Sequence, residues 1–229
     1  MSSINAIVFG STGSIGNYIK ENLLKENINV IGTTSTKEKE NNDTLYVTSD
    51  HLDNLKKINN VTMVIWAQGY NYNDTIIDFD KNKFGQMIEG NIIFILNTLN
   101  FLINEKIVVE NSKMVIISSI WEELTRDNKL SYSITKSALS GLIKNVAYDL
   151  SKMNILINNV LPGVIDNDMT RKSLSEEQLN YVKKYTFFDR LITLEDVYKT
   201  VKFLITENSG ITGQSIKVDL GFTNVKKYS

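Results

Sequence analysis

Asn5-Ala6-Ile7-Val8-Phe9-Gly10-Ser11-Thr12-Gly13-Ser14-Ile15-Gly16 combines an apolar run, a glycine-bearing turn and the opening of a helical pattern. The run has no polar alternation, so it predicts a strand covered on both faces. Glycines let the backbone turn sharply and approach a pyrophosphate without Cβ atoms in the way. The helix behind them offers free N–H groups and the positive end of its dipole. A Gly-x-x-Gly-x-x-Gly run alone suits any strand-to-helix turn; its place in the first βα turn marks a dinucleotide cradle. Gly10, Ser11, Thr12, Gly13, Ser14, Ile15 and Gly16 are the candidate contacts.

Outward from this stretch, short apolar runs alternate with helical patterns. Strands are predicted over 5–9, 29–33, 44–47, 63–67, 113–118, 155–161 and 215–218. Helices are predicted over 15–26, 52–58, 84–104, 133–152 and 194–206. Val- and Ile-rich strands separated by helices imply right-handed crossovers. The expected fold class is α/β: a Rossmann-type doubly wound parallel sheet of about seven strands, helices on both faces. The 229 residues are expected to form one domain. Two stretches break the rhythm. Residues 37–43 read as a charged, solvated loop. Residues 163–190 are longer and end near Tyr181, Tyr185, Phe187 and Phe188, which suits a substrate-covering lid or plain aromatic packing.

Composition excludes several chemistries. There is no cysteine, so no thiolate metal site, disulfide or cysteine nucleophile. The only histidine, His51, lies in Ser-Asp-His-Leu-Asp, a polar helix start, which leaves a Ser-His-Asp hydrolase without support. Asp166 and Asp168 read as a loop-to-helix cap before they read as paired carboxylates. No metal is expected. Net charge is -1 with both signs interspersed, so no nucleic-acid stripe is expected. No apolar stretch is expected to span a bilayer, no signal peptide is read, and the expected location is cytoplasmic.

The catalytic signal lies in Met114-Val115-Ile116-Ile117-Ser118-Ser119 and Tyr132-Ser133-Ile134-Thr135-Lys136. Ser119 closes a buried strand. Tyr132 and Lys136, four apart near a helix start, share one face. A phenol beside an ammonium has a stabilised anion, which makes Tyr132 a proton donor or acceptor. Tyr148 with Lys152 and Tyr198 with Lys202 repeat the spacing without a strand ending in serine before them, and read as ordinary amphipathic helix.

Together these residues resemble the short-chain dehydrogenase/reductase family over nearly the whole chain. Asn91 in Gly90-Asn91-Ile92-Ile93 matches the asparagine of the family's fourth helix. Leu161-Pro162-Gly163-Val164-Ile165 matches its nicotinamide loop. Residues 189–197 and 211–219 resemble its closing segments. The nearest likeness is to short single-domain members such as the 3-oxoacyl-carrier-protein reductase-like proteins. The resemblance implies catalytic roles for Asn91, Ser119, Tyr132 and Lys136, with Asn91 ordering the helix and a water beside Lys136. It implies further cofactor contacts at Thr33, Thr34, Ser35, Val47, Ala67, Gln68, Gly69, Pro162, Gly163 and Ile165. The reaction implied is hydride transfer between nicotinamide C4 and a small-molecule carbonyl or secondary alcohol. In the family the faces of the helices matching 84–104 and 133–152 commonly form an interface, so the resemblance also implies a homodimer or homotetramer.

The chain also departs from the family. Ser14 replaces the middle glycine, and the spacing is similar to the extended branch of epimerases and dehydratases. Trp66-Ala67-Gln68-Gly69 replaces Asn-Asn-Ala-Gly, Asn167 stands where a threonine binds the carboxamide, and Tyr46 replaces a polar residue near adenine. Thr33-Thr34-Ser35-Thr36-Lys37 brings no carboxylate until Glu38, which favours NADP(H) over NAD(H). A nucleotide sensor or scaffold without turnover, or a nucleotide-sugar epimerase or dehydratase, are the alternatives. Trp121, Glu122, Glu123 and Arg126 are expected at the substrate opening, where a carboxylate would read sugar or polyol hydroxyls.

Overall fold

Seven parallel strands form one sheet in a computed structural model that describes residues 5–167, 170–171 and 174–224. They are β1 (Ala6–Phe9), β2 (Val30–Thr34), β3 (Thr44–Tyr46), β4 (Val61–Trp66), β5 (Val108–Ile117), β6 (Leu156–Pro162) and β7 (Ser215–Val218). Their order across the sheet is β3-β2-β1-β4-β5-β6-β7. The helices are α1 (Ser14–Lys25), α2 (Lys81–Ile88), α3 (Phe94–Asn104), α4 (Leu130–Asp149), α5 (Glu176–Tyr185) and α6 (Leu194–Thr206).

The opening strand shows why its sequence does not alternate. Ile7 and Phe9 enter a core covered by α3 and α4, whereas Ala6 and Val8 enter one covered by α1 and α6. Both faces are dry, so every position is apolar. Trp66 at the end of β4 is buried in the first core, stacked 5.5 Å from Phe9, and its indole donates to Thr98 Oγ1 at 2.9 Å. The family's asparagine is thus replaced by a core side chain with its own acceptor.

Strand order reverses between β1 and β4, because β2 and β3 extend one way and β4 through β7 the other. Loops leaving neighbouring strands in opposite directions open a crevice at the carboxyl ends. That crevice is the site.

Several elements differ from expectation. The 52–58 segment is a 3-10 turn, Asp53–Lys57, with Leu55 buried within the turn and Ile58 just after it; so few apolar anchors do not hold a longer helix. The 163–190 segment contains α5, opened by a capping box in which Ser175 and Gln178 exchange bonds. Ser-Glu-Glu-Gln is a legible box signal, outweighed by the mixed composition around it.

The third difference is the helical stretch Lys81–Asn104, of 24 residues, long and apolar enough to cross a bilayer by length and composition. This overturns the expectation that no segment reaches that length. Here it is the crossover from β4 to β5, with Met87, Ile95, Leu99 and Leu102 buried. A five-residue π turn, Glu89–Ile93, interrupts it. Such turns rotate side chains out of helical register, often at functional sites.

Candidate active site

Gly10 follows β1 with φ +74°, and a Cβ there would stand 2.6 Å from the backbone nitrogen of Gln68. Only glycine lets the β1 and β4 loops close to that distance. At Gly16 a Cβ would meet the Gly10 carbonyl oxygen at 2.3 Å, which fixes how closely α1 follows the turn. Ser11 is spent on structure. Its side chain occupies the space that a Cβ on Gly32 would fill, and its hydroxyl donates to the Thr33 carbonyl at 3.2 Å.

A cleft of about 1720 Å³ runs from this turn across the carboxyl ends of the strands. Gly10, Thr12, Gly13, Ser14, Ile15, Thr33, Thr34, Ser35 and Val47 line one side. Ala67, Gln68, Gly69, Ser119, Tyr132, Lys136, Gly163 and Ile165 line the floor and far side. Four predicted residues do not line it: Ser11, Gly16, Asn91 and Pro162 shape the wall from behind. Both amide atoms of Gln68 are buried and lack a hydrogen-bond partner. Buried polar atoms are seldom left so, and these wait on a polar ligand opposite the glycine turn. The turn and the orphaned amide fit a dinucleotide.

At the end of β2, Thr34 Oγ1 accepts from the Thr36 N–H at 3.1 Å, and Ser35 is exposed to the cleft. Among the described lining residues the acids are Asp50 and Glu89, which follow β3 and α2. Glu89 accepts a short hydrogen bond from Ser49.

Tyr132 lies in the first turn of α4 and Lys136 one turn on, with Ser119 after β5. The Lys136 ammonium stands 5.7 Å from the centre of the Tyr132 ring and donates to the Ile117 carbonyl at 3.2 Å. The phenol is not acidified as the spacing suggests. Burial pushes it up to about 12, with a hydrogen bond to Ser119 as the opposing influence. Burial likewise pulls Lys136 down to about 8, opposed by the charge of Glu122. Desolvation disfavours whichever form is charged, so the two groups move in opposite directions.

Asn91 reaches this floor from the π turn and is 1% exposed. It accepts from the Tyr70 N–H at 2.7 Å and donates to the Tyr70 carbonyl at 2.9 Å and to Thr135 Oγ1 at 3.0 Å. Its two amide hydrogens are thus committed to tying the β4 loop to α4, rather than both being open to a water.

Glu122 and Glu123 leave the opening, contrary to expectation. Glu122 is buried, accepting from Asn159 Nδ2 at 3.2 Å and from the Ser215 hydroxyl, and burial raises its carboxyl. Glu123 pairs with Lys217. Trp121 and Arg126 stay at the cleft, the guanidinium 5.3 Å from the indole ring centre. Sequence reasoning missed Lys129, which also lines the cleft, with Asn71 and Asn73 beside it. A lysine three before the tyrosine carries no local sign of burial.

Asn167 lines the cleft, its side-chain amide donating to Ser14 Oγ at 3.3 Å and its carbonyl accepting from the Thr170 N–H at 2.9 Å. Asp166 holds Arg171 through two bonds, at 2.8 and 3.0 Å, while Asp168 lies outside the described residues. His51 engages Thr48 at 3.2 Å, away from the floor. Both repeats of the Tyr-x-x-x-Lys spacing are structural: Tyr148 is exposed, and Tyr198 and Lys202 both bind Glu26, at 2.8 and 2.7 Å.

Comparison with known proteins agrees with this architecture. The family model described as Enoyl-(Acyl carrier protein) reductase matches residues 52–223. The chain is 27% identical to the 3-oxoacyl-acyl-carrier-protein reductase FabG of Rickettsia bellii, across 98% of this chain and 99% of that one. It is 34% identical to the L-rhamnose 1-dehydrogenase (NADP(+)) of Thermoplasma acidophilum, over 48% of this chain and 44% of the relative. The ligand-free aldohexose dehydrogenase of Thermoplasma acidophilum superposes with a TM-score of 0.88 at 23% identity, covering 99% of this chain and 96% of that one. That last likeness concerns the fold alone.

Proposed function

The chain belongs to the short-chain dehydrogenase/reductase family, and from that membership we propose an NADP(H)-dependent oxidoreductase in which Tyr132 moves a proton on a carbonyl or secondary alcohol. The observation that carries this reading is the Tyr132 phenol on the floor of a cleft whose opposite wall is the glycine cradle. The nicotinamide cofactor would exchange hydride at C4 with the substrate carbon.

The residues supply the rest. Tyr132, held near 12, keeps its proton through neutral pH and is ready to donate it to a carbonyl oxygen. In the reverse direction the phenol must lose that proton, and the Lys136 charge beside its ring offsets the developing anion. Ser119 holds the substrate oxygen and steadies its charge. Asn91 fixes α4 against the β4 loop and so positions Tyr132 and Lys136. Gly10 and Thr12 through Ile15 would hold the pyrophosphate and Gln68 would meet it from across the crevice. Preference for NADP(H) is supported by the absence of an acid among the described cleft residues at the end of β2, and by the cofactor in the rhamnose dehydrogenase's name.

Residues 163–190 would cover the substrate: Val164, Thr170 and Leu174 line the cleft, while Phe187 packs on Gly221, anchoring the far end. Homo-oligomer formation through the long helices is supported by Leu96 and Ile134, apolar and exposed on α3 and α4.

Tyr132→Phe tests the reading. Turnover of carbonyl substrates should disappear while NADPH binding, followed by fluorescence, stays close to wild type. Full activity in that variant removes Tyr132 from the reaction. Tight NADPH binding with no turnover of any carbonyl by the wild type turns the reading to a nucleotide-binding protein.

A further inference from the structure

Lys129 is 4% exposed, yet it lines the cleft beside the reacting phenol. Its ammonium stands 5.2 Å from the Tyr132 ring centre. An ammonium has three donors. Two are taken, by Asn71 Oδ1 at 2.8 Å and Asn73 Oδ1 at 2.6 Å, both neutral acceptors. The acid with an electrostatic influence on it, Asp74, is already committed to the backbone and hydroxyl of Ser131. Among the described residues no carboxylate forms an ion pair with Lys129. A buried charge without a counter-ion is costly, and a tether between the 71–74 loop and α4 would need only a neutral amide.

The surroundings add to the imbalance. Arg126 also lines the cleft and also lacks an ion pair among the described residues. Burial, with the Arg126 charge as the smaller contributor, brings Lys129 down to about 8. The acids expected at this opening, Glu122 and Glu123, are spent on Ser215, Asn159 and Lys217.

We propose that the substrate carries an anionic group, a carboxylate or a phosphate, a few bonds from the reacting carbon, and that Lys129 receives it with Arg126 at the mouth. This rests on the reading of Tyr132 as the proton donor, because the ring beside Lys129 places the reacting oxygen and the anion in one small volume. A neutral substrate would leave the third donor empty and the charge desolvated. An anionic one meets both needs.

The experiment compares kcat/KM with NADPH for matched pairs: pyruvate against methyl pyruvate, acetoacetate against methyl acetoacetate, and dihydroxyacetone phosphate against dihydroxyacetone. The anionic member of at least one pair should be favoured by about tenfold or more, and which pair responds distinguishes carboxylate from phosphate. That ratio should fall toward one in Lys129→Met and be largely retained in Lys129→Arg. A neutral member that matches or exceeds its anionic partner in every pair overturns the proposal, as does a ratio unmoved in Lys129→Met. Calorimetry of the NADP-loaded wild type with malonate and with inorganic phosphate gives a readout independent of turnover. Binding weakened about tenfold by Lys129→Met supports the site, and no binding of either probe at millimolar concentration refutes it. Turnover that survives Tyr132→Phe refutes the catalytic reading while the binding result still stands.

Discussion

Replacing Gly10 with alanine separates what the glycine turn does for the fold from what it does for a ligand. The residue has φ +74°, and a β-carbon would lie 2.6 Å from Gln68 N and 2.7 Å from its Cα. Holding an L-residue in left-handed backbone costs ~1–2 kcal/mol. Forcing backbone apart in a packed region adds ~1–3 kcal/mol. The sum, ~2–5 kcal/mol, lowers the melting temperature of a chain this size by on the order of 10 °C. Gly13 lies in the same turn but has φ -86° and ψ 163°, and the nearest atom to its built Cβ is 3.5 Å away. In Gly13→Ala, a weaker helix cap and a stiffer unfolded chain offset to within about 0.5 kcal/mol. Thermal unfolding of the unliganded variants reads both values, and NADPH titration should show Gly10→Ala binding more weakly because the β1 and β4 loops have moved apart. A Gly10→Ala melting point within about 2 °C of wild type, or an equal loss in Gly13→Ala, refutes the close-approach argument.

Unliganded stability should rise with pH between about 8 and 10. Lys129 and Lys136 titrate at about 8 in the fold against ~10.4 unfolded, so the unfolded chain binds more protons there and folding gains. Lys129→Met should remove up to ~2 kcal/mol of that rise in denaturant titrations, and equal slopes in the two proteins would sink the assignment. Glu122→Gln takes away the charge that keeps Lys136 protonated. The alkaline limb of kcat/KM for carbonyl reduction should therefore move to lower pH, and a limb that stays put removes Glu122 from the site's electrostatics. Tyr198→Phe deletes the bond to the Glu26 carboxylate and should cost ~1–2 kcal/mol with NADPH affinity intact, whereas Tyr148→Phe, fully solvated, should alter neither.

Much of the fold was legible because its signals are local. Unbroken apolar runs at 6–9 and 114–117 announce strands covered on both sides, and the Gly10–Gly16 turn sits where β1 meets α1. Less local features were misjudged or missed. The π turn that aims Asn91 inward has no composition of its own, and α5 was obscured by its mixed surroundings despite the box at Ser175. Asp80, which caps α2 through the Asn82 and Lys83 N–H groups, could have placed that helix start three residues earlier.

The order of strands and turns, and hence the crevice with Ser119, Tyr132 and Lys136 at its floor, was determined by the sequence itself, since periodicity and spacing act along the chain. The charges of that floor were not. Whether Tyr132 is acidified, where Glu122 points, and what stands opposite Lys129 depend on Asn71, Asn159 and Ser215, brought together from distant parts of the chain. Protonation answers to burial and to distance, and both exist only once the sheet has closed over its helices.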